Sequence, residues 1–192
     1  KTNVLPVGKG SLASGLEGEG RMLEPEEIIE HIEIKLKESL PLNNLNFLIT
    51  AGPTHEKIDP VRFIGNSSSG KMGYRLAEEA KRLGASVCLI SGPSNETLNE
   101  NSIDLVSVRT SDEMEKEVMS RYQNSDIIIM AAAISDYTPK SYSNKKIKKE
   151  SESKVLTIDL KKTNDILYNL GKLKKNQLLI GFALENNNEI KN

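Results

Sequence analysis

Residues 47–73 read Phe47-Leu-Ile-Thr50-Ala-Gly-Pro-Thr-His55-Glu-Lys-Ile-Asp-Pro60-Val-Arg-Phe-Ile-Gly65-Asn-Ser-Ser-Ser-Gly70-Lys-Met-Gly73. An apolar run opens the stretch and an amphipathic run, Tyr74 to Leu83, follows it. The order is strand, long loop, helix. The loop is crowded with Gly, Pro, Ser and Asn and carries Lys57, Arg62 and Lys71. The first backbone N–H groups of a helix have no intrahelical partner and sit at the positive end of its dipole. A Gly/Ser-rich loop ending there suits phosphate or carboxylate. The competing reading of Ser67 to Ser69 is a cluster of N-cap residues for the following helix.

Two motifs in the stretch fail on inspection. Gly65 to Lys71 fits the first seven positions of a P-loop, but the eighth must be Ser or Thr to hold Mg²⁺. Here it is Met72, a poor ligand for a hard cation. His55-Glu56 resembles the start of a zinc-protease helix, but the second His would fall on Asp59, and Pro60 follows at once.

Working outward, strands and helices alternate. A helix is predicted over Glu26 to Leu40, with Pro25 placed to open it. Leu45 to Ala51 is the first core strand. A helix runs from Ser69 to Leu83, with Met72, Leu76, Ala80 and Leu83 on its inner face, and Gly84 ends it. Ser86 to Ser91 is a buried strand and Leu105 to Arg109 another. Ser111 is the N-cap of a helix to Tyr122, with Met114 and Val118 inward. Asp126 to Met130 is the most apolar strand and Leu178 to Phe182 the last. This alternation predicts an α/β fold with a doubly wound, mostly parallel Rossmann-like sheet. Continuous apolar strands imply that both sheet faces are covered. Ligands then bind beyond the carboxyl ends of the strands, where the loops after Gly52, Ala131 and Gly181-Phe182 gather.

One segment breaks the rhythm. Lys145-Lys-Ile-Lys-Lys149 is short and basic, and Lys154 to Leu160 alternates apolar and polar residues as a half-exposed strand does. The expectation is a basic β-hairpin or flap projecting from the sheet. The competing reading is an edge strand kept soluble by charge. Residues 1–25 are Gly-rich and aperiodic, an irregular tail.

The 192 residues carry a formal net charge of −1, so bulk electrostatics point to neither nucleic acid nor a membrane surface. No apolar run reaches membrane length and no signal-peptide pattern is present. The single Cys88 lies in an apolar run and reads as a small core residue. One unpaired cysteine fits a reducing, cytoplasmic setting. The chain reads as a fragment of a longer protein.

Six segments together resemble the phosphopantothenate–cysteine ligase (phosphopantothenoylcysteine synthetase) half of the bacterial bifunctional coenzyme A biosynthesis protein. They are Thr50 to Arg62, Asn66 to Gly73, Ala131 to Tyr137, Lys146 to Lys149, Asn164 to Leu167 and Gly181 to Glu185, in family order. The resemblance implies a ligase domain over 45–192, a linker helix over 26–44, and a tail over 1–25 similar to the end of a preceding flavin-dependent decarboxylase. In that family the position of Ser14 is usually a Cys that donates a proton, and a Ser hydroxyl is a far weaker acid. No FMN and no decarboxylation are expected here. Asn164 stands where the family usually has Pro, and Asn186 where it usually has Thr. The chain stops short of the family's downstream lysines.

The resemblance implies that CTP with Mg²⁺ activates the carboxylate of 4'-phosphopantothenate as an acyl-cytidylate, and that L-cysteine displaces CMP. Eukaryotic relatives use ATP, and physics alone does not separate the two nucleotides here. The implied catalytic residues are Asn66 on the acyl intermediate, Lys146 on the flap, and Arg62 at a carboxylate or phosphate. The implied nucleotide-binding residues are Gly52, Met130, Ala131, Ala132, Asp136, Lys146, Asn164, Asp165, Ile166, Leu167 and Phe182. A homodimer is implied too. The bland readings stand beside these: Arg62 ties down its loop, Asp136 caps a turn, and the alanines allow close packing. A different class of function also stays open, a fragment that binds nucleotide without turnover. A dinucleotide oxidoreductase is a weak rival, since no strand is followed by Gly-x-Gly-x-x-Gly.

Overall fold

The structure is a computed structural model and describes residues 5–11, 17–21, 23–148 and 155–182. The chain divides into two compact units, 1–43 and 44–192.

In the first unit, β1 (Gly8–Ser11) pairs antiparallel with β2 (Glu17–Arg21), and α1 (Pro25–Glu38) follows. The ribbon corrects the expectation of an irregular tail. Glycine alternates with charged or polar residues in both strands, so no apolar side chain marks the two-residue period in the sequence. Pro25 opens α1, and the Glu24 N–H donates to the Glu27 carboxylate at 3.0 Å. Ser14 lies outside the described residues.

The second unit runs β3 (Asn46–Ala51), β4 (His55–Lys57), β5 (Phe63–Gly65), α2 (Lys71–Arg82), β6 (Ser86–Ser91), β7 (Asp104–Ser107), α3 (Ser111–Arg121), β8 (Ile127–Met130), β9 (Tyr137–Pro139), β10 (Leu160–Lys162), α4 (Ile166–Leu173) and β11 (Leu178–Gly181). Five strands make one parallel sheet in the order β11-β8-β3-β6-β7. The chain starts in the middle, winds outward through β6 and β7, then returns to the other side through β8 and β11. This is a doubly wound sheet whose direction of winding reverses between β3 and β8.

Both faces of the sheet are buried, which is why its strands read as continuous apolar runs. On one face Leu48, Ile90, Ile128 and Met130 pack with Met114 and Val118 of α3 and Ile166 and Leu170 of α4. Strand residues alternate sides, so Phe47, Ile49 and Leu89 turn to the other face and are also buried. Met72 is 54% exposed, and the buried face of α2 is Gly73, Tyr74, Ala77 and Ala80. Of the expected face, Ala80 is buried, Leu76 and Leu83 are half-buried, and Met72 alone is turned out. Small residues let the helix lie directly on β3, and size rather than apolarity sets the contact. A Cβ on Gly73 would fall 2.5 Å from the Ala51 Cβ.

Thr110, not Ser111, is the N-cap of α3. Its hydroxyl accepts from the Glu113 N–H at 3.2 Å, and the Glu113 carboxylate accepts from the Thr110 N–H at 3.3 Å. The projecting ribbon exists, but β9 and β10 form it. Residues 145–148 have no regular structure and lie in the connection between those strands. Residues 155–159 do not form a strand either. Lys149 and Lys154 lie outside the described residues. Among the described residues no helix is long and apolar enough to cross a membrane.

Candidate functional site

The loops that leave β3 and β8 at the reversal point stay zipped together beyond the sheet. The Ala133 N–H donates to the Gly52 carbonyl at 2.9 Å, and the Thr54 N–H to the Ala133 carbonyl at 3.3 Å. The buried Thr54 hydroxyl accepts from the Ser135 N–H at 2.9 Å, and the Thr50 hydroxyl from the Ala132 N–H at 3.2 Å. Backbone meets backbone here because glycine allows it. Gly52 and Gly70 have positive φ, 74° and 84°. A Cβ on Gly92 would lie 1.8 Å from the Pro53 carbonyl oxygen, and one on Gly70 3.1 Å from the Gly52 Cα.

Asn66 reaches across this floor. Its Nδ2 donates to the carbonyls of Ala133 at 3.1 Å and Ile134 at 3.2 Å. An atom between two carbonyl oxygens must be the amide nitrogen. Both its protons are thus committed, and Oδ1 is the atom left for a ligand. The resemblance implies an amide that donates to the acyl carbonyl and accepts from the pantothenate chain; in this arrangement the accepting atom is the one left for substrate. Downstream, Ser68 and Ser69 fold back onto the N-terminus of α2. Their hydroxyls accept from the Gly70 and Lys71 N–H groups at 3.3 Å each.

Arg62 binds inward. The turn Asp59-Pro60-Val61-Arg62 joins β4 to β5, and the Asp59 carboxylate is its hub. Oδ1 accepts from the N–H groups of Val61 and Arg62, both at 2.8 Å. Oδ2 accepts from Arg62 Nε at 3.0 Å, from Arg62 Nη2 at 2.7 Å and from the Ile147 N–H at 3.1 Å. Arg62 Nη2 also donates to the Ile147 carbonyl at 2.6 Å. Burial alone would raise the Asp59 pKa. The main-chain donors and the guanidinium outweigh it and hold the carboxyl well below the usual range. The tie-down reading of Arg62 is therefore realised. Asp59 itself was missed. The signal was present, since Asp followed by Pro is a favoured opening for a type I turn.

Lys146 precedes Ile147, is exposed, and makes no ion pair among the described residues. Lys145 is exposed as well. Arg62 and Asn66 stand at opposite ends of β5, roughly 13 Å apart at the strand rise of ~3.3 Å per residue. His55 stacks on Phe63 across this hairpin, ring centroids 3.7 Å apart. Burial first, and then the nearby Arg109 charge, lower the His55 pKa.

The remaining candidates divide. Met130 is laddered between Thr50 and Gly181, with its side chain in the core, so Ala131 and Ala132 are the first residues beyond the sheet. The Asp136 side chain is exposed, while its carbonyl accepts from the Thr163 N–H at 2.9 Å. Asp165 is the N-cap of α4, its carboxylate accepting from the Tyr168 N–H at 2.8 Å. An anion already sits where phosphate was expected. Asn164 donates to Glu115 of α3 at 2.7 Å, and Ile166 is a core residue. Leu167 is partly exposed beside Gly181, and Phe182, directly after β11, is 53% exposed. Burial, then the neighbouring Asp104 charge, push the Cys88 thiol up to about 11, as suits an inert packing residue. Among the described residues no group of three or more His, Cys, Asp or Glu could hold a metal ion.

Residues 42–192 match the DNA/pantothenate metabolism flavoprotein C-terminal domain. The chain is 47% identical over 179 residues to the coenzyme A biosynthesis bifunctional protein CoaBC of Bacillus subtilis (strain 168), covering 92% of this chain and 44% of that protein. It is 47% identical over 196 residues to a protein of an unknown prokaryotic organism named cysteine/cysteine sulfinic acid decarboxylase, covering 99% of this chain and 54% of that one. The chain thus spans about half the length of the curated relatives it matches. The crystal structure of the C-terminal domain of a CoaBC protein superimposes with a TM-score of 0.68 at 46% identity, over 78% of this chain and 69% of that one. Sequence and sheet order lead to the same place: the chain belongs to the DNA/pantothenate metabolism flavoprotein C-terminal domain family, whose fold it shares with the C-terminal half of the bifunctional coenzyme A biosynthesis proteins.

Proposed function

We infer that this domain joins 4'-phosphopantothenate to L-cysteine in coenzyme A biosynthesis, with CTP as the activating nucleotide. The observation that carries the reading is the meeting of Asn66 with the Ala133-Ile134 backbone at the sheet reversal, the place where doubly wound sheets bind ligands. The names of the relatives support the pathway, and the six segments quoted above support the reaction.

In the first step the pantothenate carboxylate attacks the α-phosphorus of CTP and pyrophosphate leaves. In the second the cysteine amine attacks the acyl carbonyl, loses its proton, and CMP leaves. Both substrates are anionic, so the site must supply cations and oriented donors. Lys146, exposed and without an ion pair among the described residues, is the cation for the phosphates. The N-terminus of α2, with the Ser68 and Ser69 hydroxyls able to turn outward, offers donors. The Asn66 Oδ1 accepts from an N–H or O–H of the substrate, which suits the amide- and hydroxyl-bearing pantothenate arm. Ala131, Ala132 and Asp136 flank the nucleoside, and Phe182 covers it. Mg²⁺ would arrive on the triphosphate and shield its charge there. A homodimer and a fused decarboxylase domain in the longer protein belong to the same proposal, and FMN would belong to that second domain.

The test is ligand-linked stability. CTP with Mg²⁺ at about 100 times its Kd stabilises a binding protein by ~2.7 kcal/mol. A clear rise in Tm with CTP, larger than with ATP, is expected. An equal or larger rise with ATP would remove the CTP assignment.

A further inference from the structure

Ile147, the residue after Lys146, is held at both of its main-chain polar groups. The Ile147 N–H donates to Asp59 Oδ2 at 3.1 Å, and the Ile147 carbonyl accepts from Arg62 Nη2 at 2.6 Å. The peptide before Lys146 is held as well, since the Ser143 hydroxyl donates to the Lys145 carbonyl at 2.6 Å. Ser143 is anchored in turn, its N–H donating to the Ile58 carbonyl at 3.0 Å. A segment without regular structure is therefore fixed on either side of one residue. The fixing groups all come from or lean on the turn Ile58 to Arg62, where the Ile58 N–H donates to the Arg62 carbonyl at 2.9 Å. Among the described residues nothing holds the Lys146 side chain, which is exposed.

Asp59 is the centre of this arrangement and touches no solvent-facing ligand. It is 2% exposed, and its carboxylate accepts five hydrogen bonds, four of them from its own turn and one from the Ile147 peptide. Four donors from its own turn already hold the carboxylate, and the fifth ties the turn to the segment that carries Lys146.

We propose that Asp59 is a positioning residue for Lys146, acting through the Ile147 peptide to fix where the ammonium can reach. The proposal rests on the ligase reading for what Lys146 does, and on geometry alone for how it is held. Arg62 shares the clamp through the Ile147 carbonyl, so part of any effect of an Arg62 substitution passes through the same residue. A misplacement of about 1 Å at a reacting group costs up to roughly 100-fold in rate.

The test uses Asp59→Asn, Lys146→Gln and the double variant in the whole chain. Hydrogen exchange at the Ile147 amide is expected to quicken by about 10-fold or more in Asp59→Asn. Pyrophosphate release from CTP and phosphopantothenate is expected to slow by roughly 10- to 100-fold in kcat, with KM for CTP changed by less than about threefold. Asp59→Asn should add nothing in the Lys146→Gln background, because it acts through that residue. Additive effects in the double variant, or unchanged exchange at Ile147, would overturn the proposal. Should Asp59→Asn fail to fold, an ester in place of the Lys146–Ile147 amide, made by semisynthesis, removes the N–H that the carboxylate receives, keeps the Ile147 side chain, and is expected to slow kcat by the same roughly 10- to 100-fold. A wild-type chain that releases no pyrophosphate from any nucleotide would defeat the ligase reading instead, and the exchange measurement would still decide the clamp.

Discussion

Arg62 and Ile147 stand 85 residues apart in the chain and 2.6 Å apart in space, guanidinium to main-chain carbonyl. That bond joins the turn between β4 and β5 to the basic segment between β9 and β10. Neither element belongs to the central sheet. The first follows β3 and the second follows β8, the two strands at the reversal point. The chemistry proposed here depends on the segment that this bond holds.

Lys146 and its neighbour separate a specific role from a basic patch. Lys146→Gln is expected to slow cytidylate formation strongly and to weaken CTP binding only moderately, because negative charge on the transferring phosphate grows toward the transition state. Lys145→Gln is expected to be nearly silent. Pyrophosphate release without cysteine reads both variants. Equal effects would remove Lys146 from the catalytic residues.

Asn66 carries an electrostatic prediction. In Asn66→Asp a carboxylate oxygen replaces the nitrogen that serves two carbonyls, so like charges meet where two hydrogen bonds stood. In Asn66→Ala the carbonyls are simply left to water. Because the site is exposed, the alanine variant is expected to lose about 1 kcal/mol, and the aspartate variant more. Chemical denaturation of both would show it. An aspartate variant as stable as wild type would mean that Asn66 points elsewhere in solution.

Glycine sites give opposite signs. Gly92→Ala puts a Cβ 1.8 Å from the Pro53 carbonyl oxygen, a backbone atom that cannot step aside. The expected loss is about 3 kcal/mol or more. Gly171→Ala in α4 meets nothing within 4 Å and is expected to gain roughly 0.5–1 kcal/mol from reduced chain entropy. Thermal melts of the two variants check the pair, and a neutral Gly92→Ala would contradict the packing described between the β3 and β6 loops.

The pH dependence follows from Asp59. Its folded pKa is depressed, so the unfolded chain binds the proton first as pH falls. The stabilisation is complete above the unfolded value of about 4 and is lost as pH falls below it. Asp59→Asn removes the titrating group. Wild type is therefore expected to lose stability more steeply than the variant between roughly pH 4 and pH 2. Parallel acid limbs in urea titrations would argue against the hub.

Much of this was legible in the sequence. The order of strands and helices, the doubly wound sheet and the gathering of the Gly52 and Ala131 loops follow from apolar runs and glycine punctuation, which are local signals. What escaped is instructive. Ala80 was read correctly on the α2 face, but Gly73 and Ala77 were overlooked because they are weak apolar markers yet the right sizes for close packing. The glycine-rich β1 and β2 strands leave no periodic trace. Asp59 was read only as a failed zinc ligand, since its partner Ile147 lies 88 residues away and nothing local announces that contact. Asp165 and Asn164 were read as nucleotide-binding by resemblance, and the structure adds that their side chains cap α4 and bond Glu115.

The account turns on whether an acyl-cytidylate forms. Incubation of the chain with CTP, Mg²⁺ and 4'-phosphopantothenate, without cysteine, is expected to release pyrophosphate in a single turnover and to leave an acyl-CMP detectable by mass spectrometry. Addition of L-cysteine should then release CMP in equal amount with phosphopantothenoylcysteine. Absence of pyrophosphate, or its release without phosphopantothenate, would contradict the account.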